Sequence, residues 1–153
     1  MRMIVFAAVF LLSPLLISSG QDKSGRFDGS WNTTVTCDAK GGTLGYTLHF
    51  VSHVKDNVLH GERGVSGQQG YLAIDGKIAN NGNAKLTTNG NTAGAQYTHG
   101  PFKSEGEAYS YEVKAQFTDL EGRGERSTGL GIVGRPCHYT WDKQTTLDSS
   151  PNL

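Results

Sequence analysis

The feature that most constrains this chain is its pair of cysteines, Cys37 and Cys137, each set in an alternating run near one end of the sequence. In Arg26–Cys37, the residues Trp31, Thr33, Val35 and Cys37 share one phase, while Ser30, Asn32, Thr34 and Thr36 take the other. Period two with β-branched residues marks a strand with one buried face. Phe27 adds to the inward side, and Gly29 lets the backbone bend on entering the strand. Far downstream, Cys137, Tyr139 and Trp141 alternate with His138, Thr140 and Asp142 in the same manner. A disulfide between two inward cysteines would tie the first strand to the last and close the sheet on itself.

The compartment suits a disulfide. The chain opens Met-Arg-Met, runs apolar from Ile4 to Ile17 and turns small and polar at Ser18-Ser19-Gly20. That is the order of a secretory leader, residues 1–20, with cleavage expected near Gly20–Gln21. The apolar run falls short of the roughly 20 residues a membrane-spanning helix needs. The product is expected in the periplasm or outside the cell, where two cysteines read as one bridge. No C-x-x-C spacing suggests a redox pair instead. Lysine and arginine total 14 against 14 acids, and loss of the leader removes only Arg2. Such near-neutrality argues against a nucleic-acid or anionic-membrane partner.

Between the cysteines the pattern is strand and turn. Tyr46, Leu48 and Phe50 share a face, and Lys55-Asp56-Asn57 turns into the more polar run Val58–Arg63. Leu72, Ile74 and Ile78 form one side of the next strand, which returns through Asn80-Asn81-Gly82-Asn83 as Ala84–Thr88. The Gly/Asn/Thr-rich segment 89–107 reads as a long loop too polar to bury. Tyr109, Tyr111, Val113, Ala115 and Phe117 then alternate with polar residues. Residues 119–122 read as a turn into Arg123–Thr128, and 129–134 as a flexible connection. No segment after the leader keeps a helical apolar period, and the 21 glycines fit many turns. The expected fold is all-β: one up-and-down antiparallel barrel of about eight strands over 26–144, with a β-sandwich as the alternative and a disordered tail over 145–153.

Gly29-Ser30-Trp31 opening the first strand, with Arg135 beside the last, resembles the calycin pattern of lipocalins and avidins. The small exported bacterial barrels that inhibit metalloproteases look similar, with a Gly-x-Trp start and one disulfide. The resemblance implies a barrel whose tryptophan plugs one end beneath a basic residue near the final strand, here Arg135. The chain has only Trp31 and Trp141, so it departs from the tryptophan-walled biotin site of avidins. The disulfide of the inhibitor barrels is also placed differently.

Candidate chemistry is sparse. His49, His53 and His60 match no metal-ligand spacing, so no metal or cofactor is expected. Gly61-Glu62-Arg63 and Gly124-Glu125-Arg126 form a near-repeat, in which each glutamate reads as the ion-pair partner of its neighbouring arginine rather than as an acid catalyst. No nucleophile elbow is present. The inward aromatics Tyr46, Tyr109, Tyr111, Tyr139 and Trp141 either fill a small barrel or line a cavity at its mouth, and eight strands leave little spare volume. Buried tyrosines need hydrogen-bond partners, which points to a polar interior. The sequence therefore predicts a non-enzymatic exported binding protein. Tyr46, Tyr109, Tyr111 and Trp141 would line its site, with Arg126 and Arg135 orienting an anionic group of a small molecule or glycan. The alternatives are an envelope protease inhibitor acting on a secreted protease through the polar arm Gln21–Arg26, and a structural envelope protein.

Overall fold

The computed structural model describes residues 25–98, 105–127 and 134–145. The expected leader, most of the N-terminal arm, most of the 129–134 connection and all but the first residue of the tail lie outside the described residues. Eight strands follow in order: β1 (Gly29–Cys37), β2 (Tyr46–Lys55), β3 (Val58–Arg63), β4 (Leu72–Ile78), β5 (Asn83–Asn91), β6 (Ala108–Phe117), β7 (Glu121–Arg126) and β8 (Cys137–Lys143). Each pairs antiparallel with the next, and β1 also pairs with β8, so the sheet is a closed up-and-down barrel. The sandwich alternative is thereby excluded. Closure places Cys37 directly opposite Cys137, and these form a disulfide spanning 100 residues. A covalent bond of this kind fits an oxidising compartment.

The barrel's two ends differ. At one end the strands are joined tightly. Asp56 and Asn57 adopt φ of 53° and 61°, the paired positive values of a primed hairpin turn. The Asp28 carboxylate accepts the backbone N–H groups of both. The core gathers at this end: Phe117 packs edge-on to Trp31 at 5.6 Å and tilts against Trp141 at 5.0 Å, while Phe27 closes the bottom. Trp31 satisfies its buried indole N–H by donating to Phe27 O at 2.9 Å. Rings of this size fit because the facing inward positions of β7 are glycines. A Cβ on Gly122 would come within 2.6 Å of the Phe117 ring, and one on Gly124 within 3.1 Å of Trp141. The outward positions of the strands are mostly polar and exposed, the reverse of the lipid-facing pattern of a membrane barrel.

Four local expectations are corrected. The basic residue over Trp31 is Lys143, with its Nζ 5.4 Å from the ring; Arg135 lies at the opposite end of the barrel, because it precedes β8 rather than ending it. β5 runs on to Asn91, and the described parts of segment 89–107, residues 89–98 and 105–107, are held by regular contacts. Backbone bonds tie Thr92 to Gly106 and Glu107, a 3₁₀ turn forms at Ala95–Tyr97, and Thr98 is buried. β7 begins at Glu121, since Gly122 must lie in the sheet beneath Phe117. Glu62 and Glu125 do not pair with Arg63 and Arg126. Adjacent strand residues face opposite sides, so the glutamates point out and the arginines point in. Glu125 instead lies 3.7 Å from His138 Nδ1 on the exterior.

Two outcomes test this packing. Replacing both cysteines with alanine removes a long-loop constraint worth roughly 4–5 kcal/mol in the chain-entropy description, and a chemical denaturation curve should show the loss. Gly122→Ala forces a methyl against the Phe117 ring and should cost about 1–3 kcal/mol in the same measurement; an unchanged midpoint would contradict the ring-over-glycine packing.

Candidate functional site

The barrel is filled at the tight-turn end and open at the other. A cavity of about 550 Å³ lies at the open end, where Gly70, Thr92, Ala93 and Gly134 from the connections between strands join its lining. That volume lies within the range of about 300–1,000 Å³ common for small-molecule sites. The floor is Tyr139, fully buried, whose hydroxyl shares hydrogen bonds with Thr88 Oγ1 at 3.1 Å and the Tyr111 hydroxyl at 2.6 Å. Above it the walls carry the half-buried rings of Tyr46, Tyr97, Tyr109 and Tyr111. Tyr109 and Tyr111, neighbours on the inward row of β6, stack with centroids 5.8 Å apart and planes 13° from parallel. Opposite Tyr109 in register stands Gly90, where a Cβ would come within 2.5 Å of the Tyr109 hydroxyl. Its bare backbone is what lets that ring lie down in the wall.

Two guanidiniums are laid on tyrosine faces: Arg126 over Tyr111 at 4.3 Å and Arg135 over Tyr46 at 4.4 Å. Both contacts combine cation–π attraction with burial of the arginine stem. Arg135 is buried, and a donor on each of its two Nη atoms goes to the backbone. One Nη donates to Leu44 O at 2.6 Å and the other to Tyr97 O at 2.8 Å. It thus joins the β1–β2 connection to the 3₁₀ turn. Arg126 ends the inward row Gly122, Gly124, Arg126 of β7, and Arg63 ends the matching row Leu59, Gly61, Arg63 of β3. Those strands stand four places apart in a ring of eight, so the two arginines occupy opposite walls. This is the structural meaning of the Gly-Glu-Arg near-repeat.

Of the residues the sequence singled out, Tyr46, Tyr109, Tyr111, Arg126 and Arg135 line the cavity together. Trp141 does not: it is fully buried in the packed end, stacked on Tyr139 at 5.4 Å. Tyr97 and Arg63 were missed. Arg63 was legible, since it shares phase and tripeptide with Arg126. Tyr97 sits in a polar segment, with no alternation to show that it meets Tyr46 edge-on at 5.9 Å. His49, His53 and His60 face solvent and bond to Thr34, Ser30 and Asp75 respectively.

No family model, curated protein or solved structure matches this chain. The functional reading therefore rests on the geometry.

Burial raises the phenols of Tyr109, Tyr111 and Tyr139 above their ordinary pKa. Tyr109 is pushed up mainly by desolvation and further by Tyr111 and Tyr46; Tyr111 rises for the same reason, with Tyr139 adding to it. Tyr139 is pushed up to about 12, again by burial, although its bonds to Thr88 and Tyr111 pull the other way. The stability these neutral phenols contribute is complete below their unfolded pKa of 10.0 and is lost as pH rises through the folded values, for Tyr139 toward about 12. An ultraviolet alkaline titration should accordingly show part of the tyrosine signal appearing late and together with unfolding. A single transition near the model-peptide value, with the fold retained, would contradict the buried phenol network.

Proposed function

We propose that the chain is an exported, non-enzymatic binding protein of the cell envelope or extracellular space that holds a small molecule or glycan in its mouth cavity. One observation carries this reading: a barrel packed solid at one end opens at the other into a space walled by half-buried tyrosines and ring-stacked arginines. A barrel needing only stability would gain by filling that space with apolar side chains. The leader-like N-terminus and the disulfide support export. Most of the titratable groups on offer are phenols and guanidiniums, which donate hydrogen bonds and are poorly suited to taking up a proton near neutral pH, with the Glu107 carboxylate beside them.

The rival reading, inhibition of a secreted protease through the N-terminal arm, uses the other end of the molecule. The described start of the arm is anchored there, with Arg26 paired to Asp119 and Phe27 buried against Phe117. Deleting 21–24 should leave mouth binding intact. Native mass spectrometry after gentle purification from the source should find a co-purifying ligand. Ala93→Trp, placed on the exposed rim, should exclude it while leaving the β circular dichroism spectrum unchanged. A wild-type protein that persistently carries nothing would count against the binding reading.

A further inference from the structure

Resting on the reading of the mouth as a binding site, we propose that its ligand carries a carboxylate on a ring-sized body, a sugar acid or an aromatic acid. Arg126 receives the carboxylate, and Arg135 is a positioning residue that holds the wall.

The two arginines look equivalent in sequence and differ in what their donors do. Arg135 spends an N–H from each Nη on the carbonyls of Leu44 and Tyr97. Arg126 is half-buried with its guanidinium against the Tyr111 ring, and Gly134 approaches so closely that a Cβ there would lie 3.0 Å from its Cζ. These contacts hold the guanidinium through its plane and leave its edge donors for hydrogen bonds. Among the described residues none accepts a hydrogen bond from Arg126, and no carboxylate pairs with it. A half-buried group with a fork of N–H donors and no acceptor calls for one, and a planar carboxylate matches that fork with two parallel bonds.

The surrounding charge agrees in sign. Arg63 on the opposite wall adds a second cation, and Arg135 a third; among the described lining residues Glu107 is the one acid, and it offsets part of this field. A net positive mouth favours an anion, and the open guanidinium edge of Arg126 offers the two parallel bonds that a carboxylate takes. The stacked pair Tyr109 and Tyr111 forms a flat aromatic surface beside Arg126, suited to the face of a sugar or aromatic ring.

Calorimetric titration of the full chain tests this with four probes: glucuronate, benzoate, and their neutral counterparts glucose and benzamide. At least one acid should bind roughly ten-fold or more tightly than its neutral partner. Arg126→Gln should weaken the acid by about ten- to a hundred-fold and leave the neutral compound unaffected. Arg126→Lys keeps the charge but loses the fork, and should recover only part of that loss. Gly134→Ala, which displaces the guanidinium without touching any charge, should reproduce the weakening. Arg135→Gln should lower the melting temperature and weaken acid and neutral compound alike. Equal binding of acid and neutral partner in the wild type, or an Arg126→Gln affinity that matches wild type, overturns the carboxylate assignment while leaving the mouth as a binding site. If none of the four binds, the assignment also falls, and the co-purification experiment alone decides the broader reading. Preference for glucuronate over benzoate, or the reverse, identifies the ring.

Discussion

The pairing of β1 with β8 is the interaction on which the rest of this structure depends. An eight-stranded sheet left open would present two long edges and an apolar face. Register-matched bonds from Trp31 opposite Lys143 to Cys37 opposite Cys137 close it, and the disulfide makes that closure covalent. Once the sheet is closed, every inward side chain competes for one limited interior. Large rings on β1, β6 and β8 are then compatible only with small residues facing them, which β7 supplies as Gly122 and Gly124. The packing of the tight-turn end follows from closure as much as from the identity of its residues.

Closure also builds the cavity. Cys37 stands opposite Tyr46 on one side and Cys137 on the other, so the disulfide lies in the wall of the open end. Arg135, two residues before Cys137, is delivered by the same staple onto the Tyr46 ring and bridges to Leu44 and Tyr97. Stability and site are thus joined at the rim. The element that prevents the barrel from opening also holds the β1–β2 connection and the 3₁₀ turn in place. The inward rows of β3 and β7 begin with small or apolar residues in the packed half and end in arginine at the mouth, so polarity rises along the barrel axis. Tyr139 marks the boundary, with Trp141 stacked below it and the Tyr111 hydroxyl bonded above.

The alternating strands, the tight Asp56-Asn57 corner and the pairing of the cysteines could all be read without coordinates, because side-chain direction in a strand depends only on position along it. The same rule was enough to separate Glu62 from Arg63 and Glu125 from Arg126. Reading each pair as a salt bridge ignored that neighbours in a strand face opposite sides. Five of the six expected cavity residues were legible on the same basis, as aromatic or basic residues in the inward phase.

Depth along the barrel was not legible. Tyr139 and Trp141 share a strand and a phase, yet one is the floor of a cavity and the other part of a packed core. Lys143 rather than Arg135 covers Trp31, and Tyr97 reaches Tyr46 from a segment with no strand pattern. The sequence by itself determined which residues face inward and pointed to the two cysteine-bearing strands as the ones that meet, since alternation and cysteine position are read along the strand; it left barrel and sandwich both open. Only the tertiary structure decided which end fills and which stays open. That outcome depends on register between strands distant in sequence and on the summed volume of side chains meeting across the interior.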